Sequence, residues 1–208
     1  MSTEEFRRRG REVVDWIADY LERVEDLPVL SEVEPGWVRE QLPAHPPEIG
    51  ESFDAVLADV GRIIEPGITH WNSPRFHAFF PANNSGPSIL GELLSAGFGV
   101  QGMLWATSPA CTELETVVMD WMAELLDLDD RFRSDGTGGG VIQDSASSAV
   151  LVALITARHR ALEAGARLDQ LVAYVSTQAH SSLEKGARIA AIPHLRSIEV
   201  DDTHALLP

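Results

Sequence analysis

Apolar residues recur at helical spacing near the start of the chain, where Phe6, Val13, Ile17, Tyr20 and Leu21 share one face and predict an amphipathic helix over 2–24. Ser2 followed by Glu5 has the spacing of a capping box at its start. From Leu27 to Glu51 the pattern breaks, and Pro28, Pro35, Pro43, Pro46 and Pro47 forbid a continuous helix. An extended arm is expected there, one that packs against something because Leu, Val and Trp37 are scattered through it. A second helix is predicted over 52–64, capped by Ser52 and stopped by Pro66-Gly67. After a polar and aromatic loop at 69–87, two longer helices are predicted over about 88–98 and 109–127. Pro109 suits the first turn of the latter, and Glu113 and Glu115 suit its positive end.

Beyond Arg131 the period changes. Gly136, Gly138, Gly139 and Gly140 lead into the short apolar run Val141-Ile142-Gln143, read as a strand, and DSASS then opens a helix over 149–165. Leu171–Ser176 reads as a second strand, His180–Arg188 as a short helix and Ser197–Val200 as a third strand. Strands alternating with helices argue for an α/β sheet. Three strands are few for such a core, so the chain is expected to be part of a larger working protein. The expected division is a helical N-terminal segment with its arm, 1–85, and the first part of an α/β domain, 86–208.

Composition narrows the classes of function. The 208 residues carry 32 acidic and 16 basic side chains, a net charge of −16. Such a field repels phosphate backbones and anionic lipid, so neither nucleic acid nor membrane is expected as a partner. Every basic residue but Lys185 is an arginine. One cysteine, Cys111, precludes an internal disulfide and a thiolate zinc cluster. It sits near a helix start, which favours thiolate, but no base is paired with it in sequence and small-residue packing accounts for it. The histidines include no HExxH or i, i+4 pair, so no metal site is expected. MSTEEFRRRGREVV lacks the apolar core of a secretory leader, and no apolar run approaches the roughly 20 residues that span a bilayer. A cytoplasmic protein is expected.

Three groups of residues could carry chemistry. In GGGVIQDSASS, a glycine run and strand precede small hydroxyl residues at a helix start, an arrangement that offers N–H and Oγ donors to a phosphate. Ser145, Ser147 and Ser148 could equally do no more than cap the helix. The rings of His70-Trp71 and of Phe76-His77-Ala78-Phe79-Phe80-Pro81 are costly to expose and belong in a core, an interface or a ligand pocket. His180 follows a strand, at the sheet edge where α/β proteins bind ligands, although a lone histidine is commonly structural.

Taken together, FRRRGREVVDWIADYLE (6–22), VEPGWVR (33–39), PGITHWNSPRFHAFFP (66–81), SPACTELETVVMDWM (108–122), GGGVIQDSAS (138–147) and LVAYVSTQAHSS (171–182) resemble the aromatic-L-amino-acid decarboxylases, group II pyridoxal-phosphate enzymes. The similarity runs in continuous order from Ser2 to about Ile192. It implies an α/β fold of type I with a helical N-terminal segment, a homodimer with active sites at the subunit interface, and a lyase that releases carbon dioxide and an arylalkylamine from an aromatic amino acid. The cofactor implied is pyridoxal 5′-phosphate. Carried over by motif, Ala146 and Ser147 bind the cofactor phosphate, while His180 stacks on the pyridine ring as the catalytic histidine. Trp71, Phe79, Phe80, Pro81, Ala82 and, from the neighbouring subunit, Met103 wall the substrate pocket.

The chain departs from the family pattern at several of these positions. Asp144 stands where a glycine is usual, and Ser148 where an acidic residue is usual. Ala82 lacks a hydroxyl found in close relatives. Phe79 and Met103 replace the Tyr and Phe of the animal enzymes, which leaves phenylalanine, tyrosine or tryptophan open as substrate. In the family, the Schiff-base lysine, the aspartate paired with the pyridinium and the catalytic loop tyrosine all come after the segment matched here. Lys185 does not match that lysine and is expected to be a solvated surface residue. The C-terminal part of the same enzyme is therefore an expected partner. An aldehyde synthase of the same fold, or a non-catalytic dimerisation fragment, is the competing reading.

Overall fold

Helix α1 (Thr3–Arg23) begins where Ser2 Oγ accepts the Glu5 N–H at 3.1 Å; the expected cap is formed, but among the described residues the reciprocal Glu5 side-chain bond of a capping box is not. The computed structural model describes residues 1–80 and 84–207. Two compact units form, residues 1–99 and 100–208.

In the first unit, Arg9 is the buried polar residue of α1. Its guanidinium clasps the Asp54 carboxylate with both Nη atoms, one of them at 2.6 Å, and also reaches Glu12 at 2.7 Å. It lies over the Phe53 ring, 5.4 Å from the centroid. That clasp joins α1 to α3 (Phe53–Asp59), whose cap is Ser52 as expected. The predicted helix does not continue as one α-helix to 64. A π turn takes over at Val60–Ile64 and a 3-10 turn at Glu65–Gly67. Among the described residues, Ile63 of the π turn is the most deeply buried large side chain, at 1% exposure. The arm is mostly irregular, as its prolines require, but Trp37–Gln41 winds into a short helix, α2. Gly36 makes this turn possible by taking φ 102, a left-handed conformation that suits glycine. A Cβ on Gly67 would lie 2.7 Å from Val38 Cγ2, so the glycine permits the arm to close on the 3-10 turn. Helix α4 (Gly86–Phe98) closes this unit, starting at a capping box between Ser85 and Ser88.

In the second unit, α5 (Pro109–Leu125) starts at Ser108 and α6 (Ala146–Glu163) at Ser145. Helix α6 therefore begins three residues earlier than the apolar pattern predicted, because Ser145 is the hydroxyl that caps it. Strand β1 (Val172–Ser176), helix α7 (Ser182–Ile189) and strand β2 (His194–Ile198) make one parallel β–α–β crossover, with Val172 opposite His194 and Ser176 opposite Ile198. The last strand begins before the predicted Ser197. Small buried residues Ser182, Gly186 and Ala187 form the inner face of α7, and buried Ala190 follows at its C-cap. A Cβ on Gly186 would sit 3.0 Å from Leu154 Cδ1 of α6, so α6 and α7 meet nearly backbone to side chain.

One expected element is absent. Val141-Ile142-Gln143 is not a strand. A strand exists only with a partner ladder, and among the described residues none lies beside it; the Ile142 N–H instead bonds Glu115 Oε1 of α5 at 2.7 Å. Among the described residues the sheet consequently has two strands where three were expected. Among the described residues, no helix is long and apolar enough to cross a membrane.

Candidate functional site

The N-terminus of α6 separates three neighbouring serines by function. Ser145 is extended (φ −155, ψ 160) and its Oγ accepts the Ser148 N–H at 3.2 Å. Ser148 Oγ lies 3.0 Å from Ser145 Oγ, so these two hydroxyls occupy each other. Ser147 is exposed, and neither its hydroxyl nor the N–H groups of Ala146 and Ser147 has a hydrogen-bond partner among the described residues. Capping thus uses Ser145 and leaves a hydroxyl and two amides free at the positive end of an 18-residue helix. Such an end is suited to an anion.

His180 stands at the carboxyl end of β1, after a tight turn in which the Ala179 N–H bonds the Ser176 carbonyl at 3.0 Å. Its Nδ1 accepts the Ser182 N–H at 3.2 Å and lies 3.0 Å from Ser182 Oγ. An Nδ1 that accepts a backbone N–H carries no proton, so the neutral ring has its hydrogen on Nε2. The close seating of α7 on α6 brings this histidine and the helix end to one shallow cavity of about 230 Å³, lined by Ser147, Ser148, Leu151, His180, Lys185 and Gly186 among others. Lys185 is exposed, as expected, yet lines this cavity too, which the sequence reading missed. The signal was its helical spacing: Ser182, Lys185, Gly186 and Ile189 fall on one face of α7.

The aromatic residues lie in the first unit and divide by burial. His70 and Phe76 are buried, whereas Phe79 and Phe80 are 85% and 98% exposed. Trp71 stacks on Phe76 (centroids 4.7 Å apart) and on Phe79 (5.8 Å, planes 11° apart). Phe79 takes φ 58, a strained conformation for a bulky side chain, and in it the ring lies against Trp71. His70 is anchored from two directions, by Tyr20 Oη 2.9 Å from Nδ1 and by its own N–H bonding the Val29 carbonyl at 2.9 Å. Beside this pair Arg23 forms two bonds to Glu65, at 2.5 and 2.6 Å. The guanidinium holds the Glu65 carboxyl below its usual range, while burial pushes the Tyr20 phenol up. Trp16, Tyr20, Trp71 and Asn72 line a cavity of about 330 Å³.

Of the expected substrate-pocket residues, Trp71 and Phe79 are in contact with each other. Phe80 projects outward, Met103 is exposed in the second unit, and Pro81 and Ala82 lie outside the described residues. Asp144 is exposed one residue before the α6 cap. Cys111 is half-buried, and a Cβ on Gly102 would lie 3.3 Å from its Cβ, consistent with small-residue packing.

The pyridoxal-dependent decarboxylase conserved domain matches residues 35–208. Phenylacetaldehyde synthase of Arabidopsis thaliana is 52% identical over 194 residues, covering 92% of this chain and 40% of the relative. Aromatic-L-amino-acid decarboxylase of Mus musculus is 46% identical over 218 residues, covering 99% of this chain and 45% of the relative. The crystal structure of Catharanthus roseus tryptophan decarboxylase in complex with L-tryptophan matches with a TM-score of 0.89 at 44% identity, over 97% of this chain and 44% of that one. The chain spans less than half the length of each of these relatives. The expected fold holds: this is the opening part of the α/β fold of type I, preceded by helices.

Proposed function

The chain belongs to the pyridoxal-dependent decarboxylase family, and from that premise we propose that it is the N-terminal part of an aromatic L-amino acid decarboxylase. The observation that carries this reading is the α6 terminus, where the Ala146 and Ser147 amides and the Ser147 hydroxyl, beside His180, have no partner among the described residues. Three donors at a helix N-terminus fit a phosphate dianion, and the net charge of −16 does not prevent it, because solvent and salt screen distant charges while the amides act at contact. Pyridoxal phosphate, when bound, supplies an electron sink for the pair left behind as carbon dioxide departs.

The chain's own residues supply grip and orientation. Ala146 and Ser147 hold the phosphate. Ser182 fixes the His180 ring through Nδ1, so a flat, neutral imidazole is presented to the cofactor ring, with its Nε2 proton on the outer edge. Trp71 and Phe79 form an aromatic wall that suits an aryl side chain. Phe80, Pro81, Ala82 and Met103 complete that wall in our reading, Met103 from a second copy in a homodimer. Exposed apolar side chains on α1 and α4, including Phe6, Val14, Leu90 and Leu93, support such a dimer. A cytoplasmic setting is likewise our reading, supported by the lone cysteine.

The second reading, an aldehyde-forming enzyme of the same fold, is favoured by the similarity to a phenylacetaldehyde synthase. Both readings place the cofactor phosphate on α6. Titration of the chain with pyridoxal 5′-phosphate, followed by absorbance and by competition with inorganic phosphate, tests that shared step. Binding that phosphate displaces is expected; no binding overturns the reading. Product analysis of the full-length protein, amine against aldehyde, separates the two.

A further inference from the structure

We propose that Glu115 is a positioning residue for the phosphate-binding turn, acting through the backbone of Ile142 and never touching the ligand. The inference rests on the reading of α6 given above.

The segment from Gly136 to Asp144 has little rigidity of its own. Four of its nine residues are glycine, and among the described residues it joins no strand ladder. Yet it delivers the chain to Ser145, so whatever fixes its path also fixes where the Ala146 and Ser147 amides point. Two contacts from one face of α5 supply that fixing. The Glu115 carboxylate accepts the Ile142 N–H at 2.7 Å, across 27 residues of sequence. One turn further along α5, Met119 packs against Gly140 so closely that a Cβ there would lie 2.8 Å from Met119 Cβ. Residues four apart lie on the same side of a helix, so Glu115 and Met119 together form a bench on which the segment rests. Ile142 is exposed on its own side chain, so this bond contributes more to the placement of the turn than to burial. The neighbouring carboxylate, Glu113, is engaged elsewhere, accepting the Trp105 Nε1–H at 2.8 Å.

The sign of the effect distinguishes positioning from plain electrostatics. Removing a negative charge near a phosphate site strengthens phosphate binding if charge alone matters. Removing the bond to Ile142 weakens it. We therefore expect Glu115→Ala to lower affinity for pyridoxal 5′-phosphate by roughly tenfold, the equivalent of one charge-assisted hydrogen bond. Glu115→Gln, which keeps an Oε1 acceptor, should stay within about twofold of the unaltered chain. Glu113→Ala, which deletes the same charge from the same helix, should not weaken binding. Pyridoxal, which lacks the phosphate, should bind all four proteins alike.

The experiment is a paired titration of the full chain and these variants with pyridoxal 5′-phosphate and pyridoxal, alongside thermal unfolding. A phosphate-specific loss in Glu115→Ala, rescued in Glu115→Gln, is the expected result. Unchanged or tighter binding of the phosphate ligand by Glu115→Ala overturns the proposal, as does an equal loss for both ligands. Should Glu115→Ala fail to fold, amide exchange at Ile142 in the unaltered chain decides: protection is expected, and exchange at the solvent rate overturns it. An unaltered chain that binds no pyridoxal 5′-phosphate overturns the underlying reading as well; one that binds it while Glu115→Ala binds equally overturns this proposal alone.

Discussion

Three serines within four residues give a test in which stability and binding come apart. Ser145 Oγ carries the α6 cap, accepting one N–H at 3.2 Å, and its loss leaves that amide facing water. An N-cap serine replaced by alanine costs about 1 kcal/mol, which in a chain of this size lowers the melting temperature by roughly 2–4 °C. The Ser147 hydroxyl has no partner among the described residues, so Ser147→Ala should leave the melting temperature of the free protein unchanged. Its hydroxyl matters only when an anion is present. A hydrogen bond to a charged group contributes about 1.5–3 kcal/mol, so the variant should bind pyridoxal 5′-phosphate about ten- to a hundredfold less tightly. Ser148 Oγ is turned back on Ser145 at 3.0 Å, so Ser148→Ala should change binding far less than Ser147→Ala. Cofactor titration by absorbance, read beside calorimetric melting of the free variants, measures both quantities. Equal binding losses in Ser147→Ala and Ser148→Ala would refute the assignment of donors to this helix turn.

Gly138→Ala should destabilise the second unit by about 1–3 kcal/mol or more, because the new Cβ would collide with the Arg131 carbonyl oxygen and lie 2.9 Å from Phe132 Cα. In urea unfolding Gly136→Ala serves as its contrast, since a Cβ there meets nothing nearer than 3.8 Å, and equal midpoints would count against the packing described. Arg23 lowers the Glu65 carboxyl, so their pair stabilises the fold above the ordinary glutamate value of about 4.3 and is lost as pH falls through the depressed folded value. Melting temperature against pH should therefore fall more steeply on the acid side for the unaltered chain than for Glu65→Gln; parallel curves would remove the pair from the account. In the full-length protein, His180→Gln should retain cofactor and fold but lose about a hundredfold in turnover per bound cofactor. Unchanged turnover with a lowered melting temperature would make His180 a structural residue.

Local chemistry was legible in the sequence and tertiary partnership was not. Ser2 and Ser52 cap the helices they precede, because a cap is settled within four residues. The proline-rich arm is irregular for the same local reason, and only the short helix Trp37–Gln41, entered through Gly36, departs from it. Val141-Ile142-Gln143 was misread because an apolar run announces burial or pairing without saying with what. Its amide partner, Glu115, lies a whole loop away in the chain. The candidate site shows the same division. The run DSASS marked an anion-ready helix start, but the sequence could not tell which serine caps and which is free; the geometry of Ser145 makes that choice. Nor could it place Lys185 beside Ser147 and His180, since that depends on α7 closing on α6 through Gly186.

The two-stranded sheet has a consequence for the chain in solution. Among the described residues β1 and β2 pair only with each other, so each presents an outer edge of unsatisfied amides and carbonyls. Such edges are templates for strands from other molecules, and Tyr174, 70% exposed on β1, offers an apolar surface alongside. The counterweight is the net charge of −16, which drives copies apart before their edges can meet. Salt shortens the reach of that repulsion to about 8 Å at physiological ionic strength. Colloidal behaviour of the purified chain is thus governed by ionic strength: dilute buffer keeps it dispersed, and added salt favours edge-to-edge assembly.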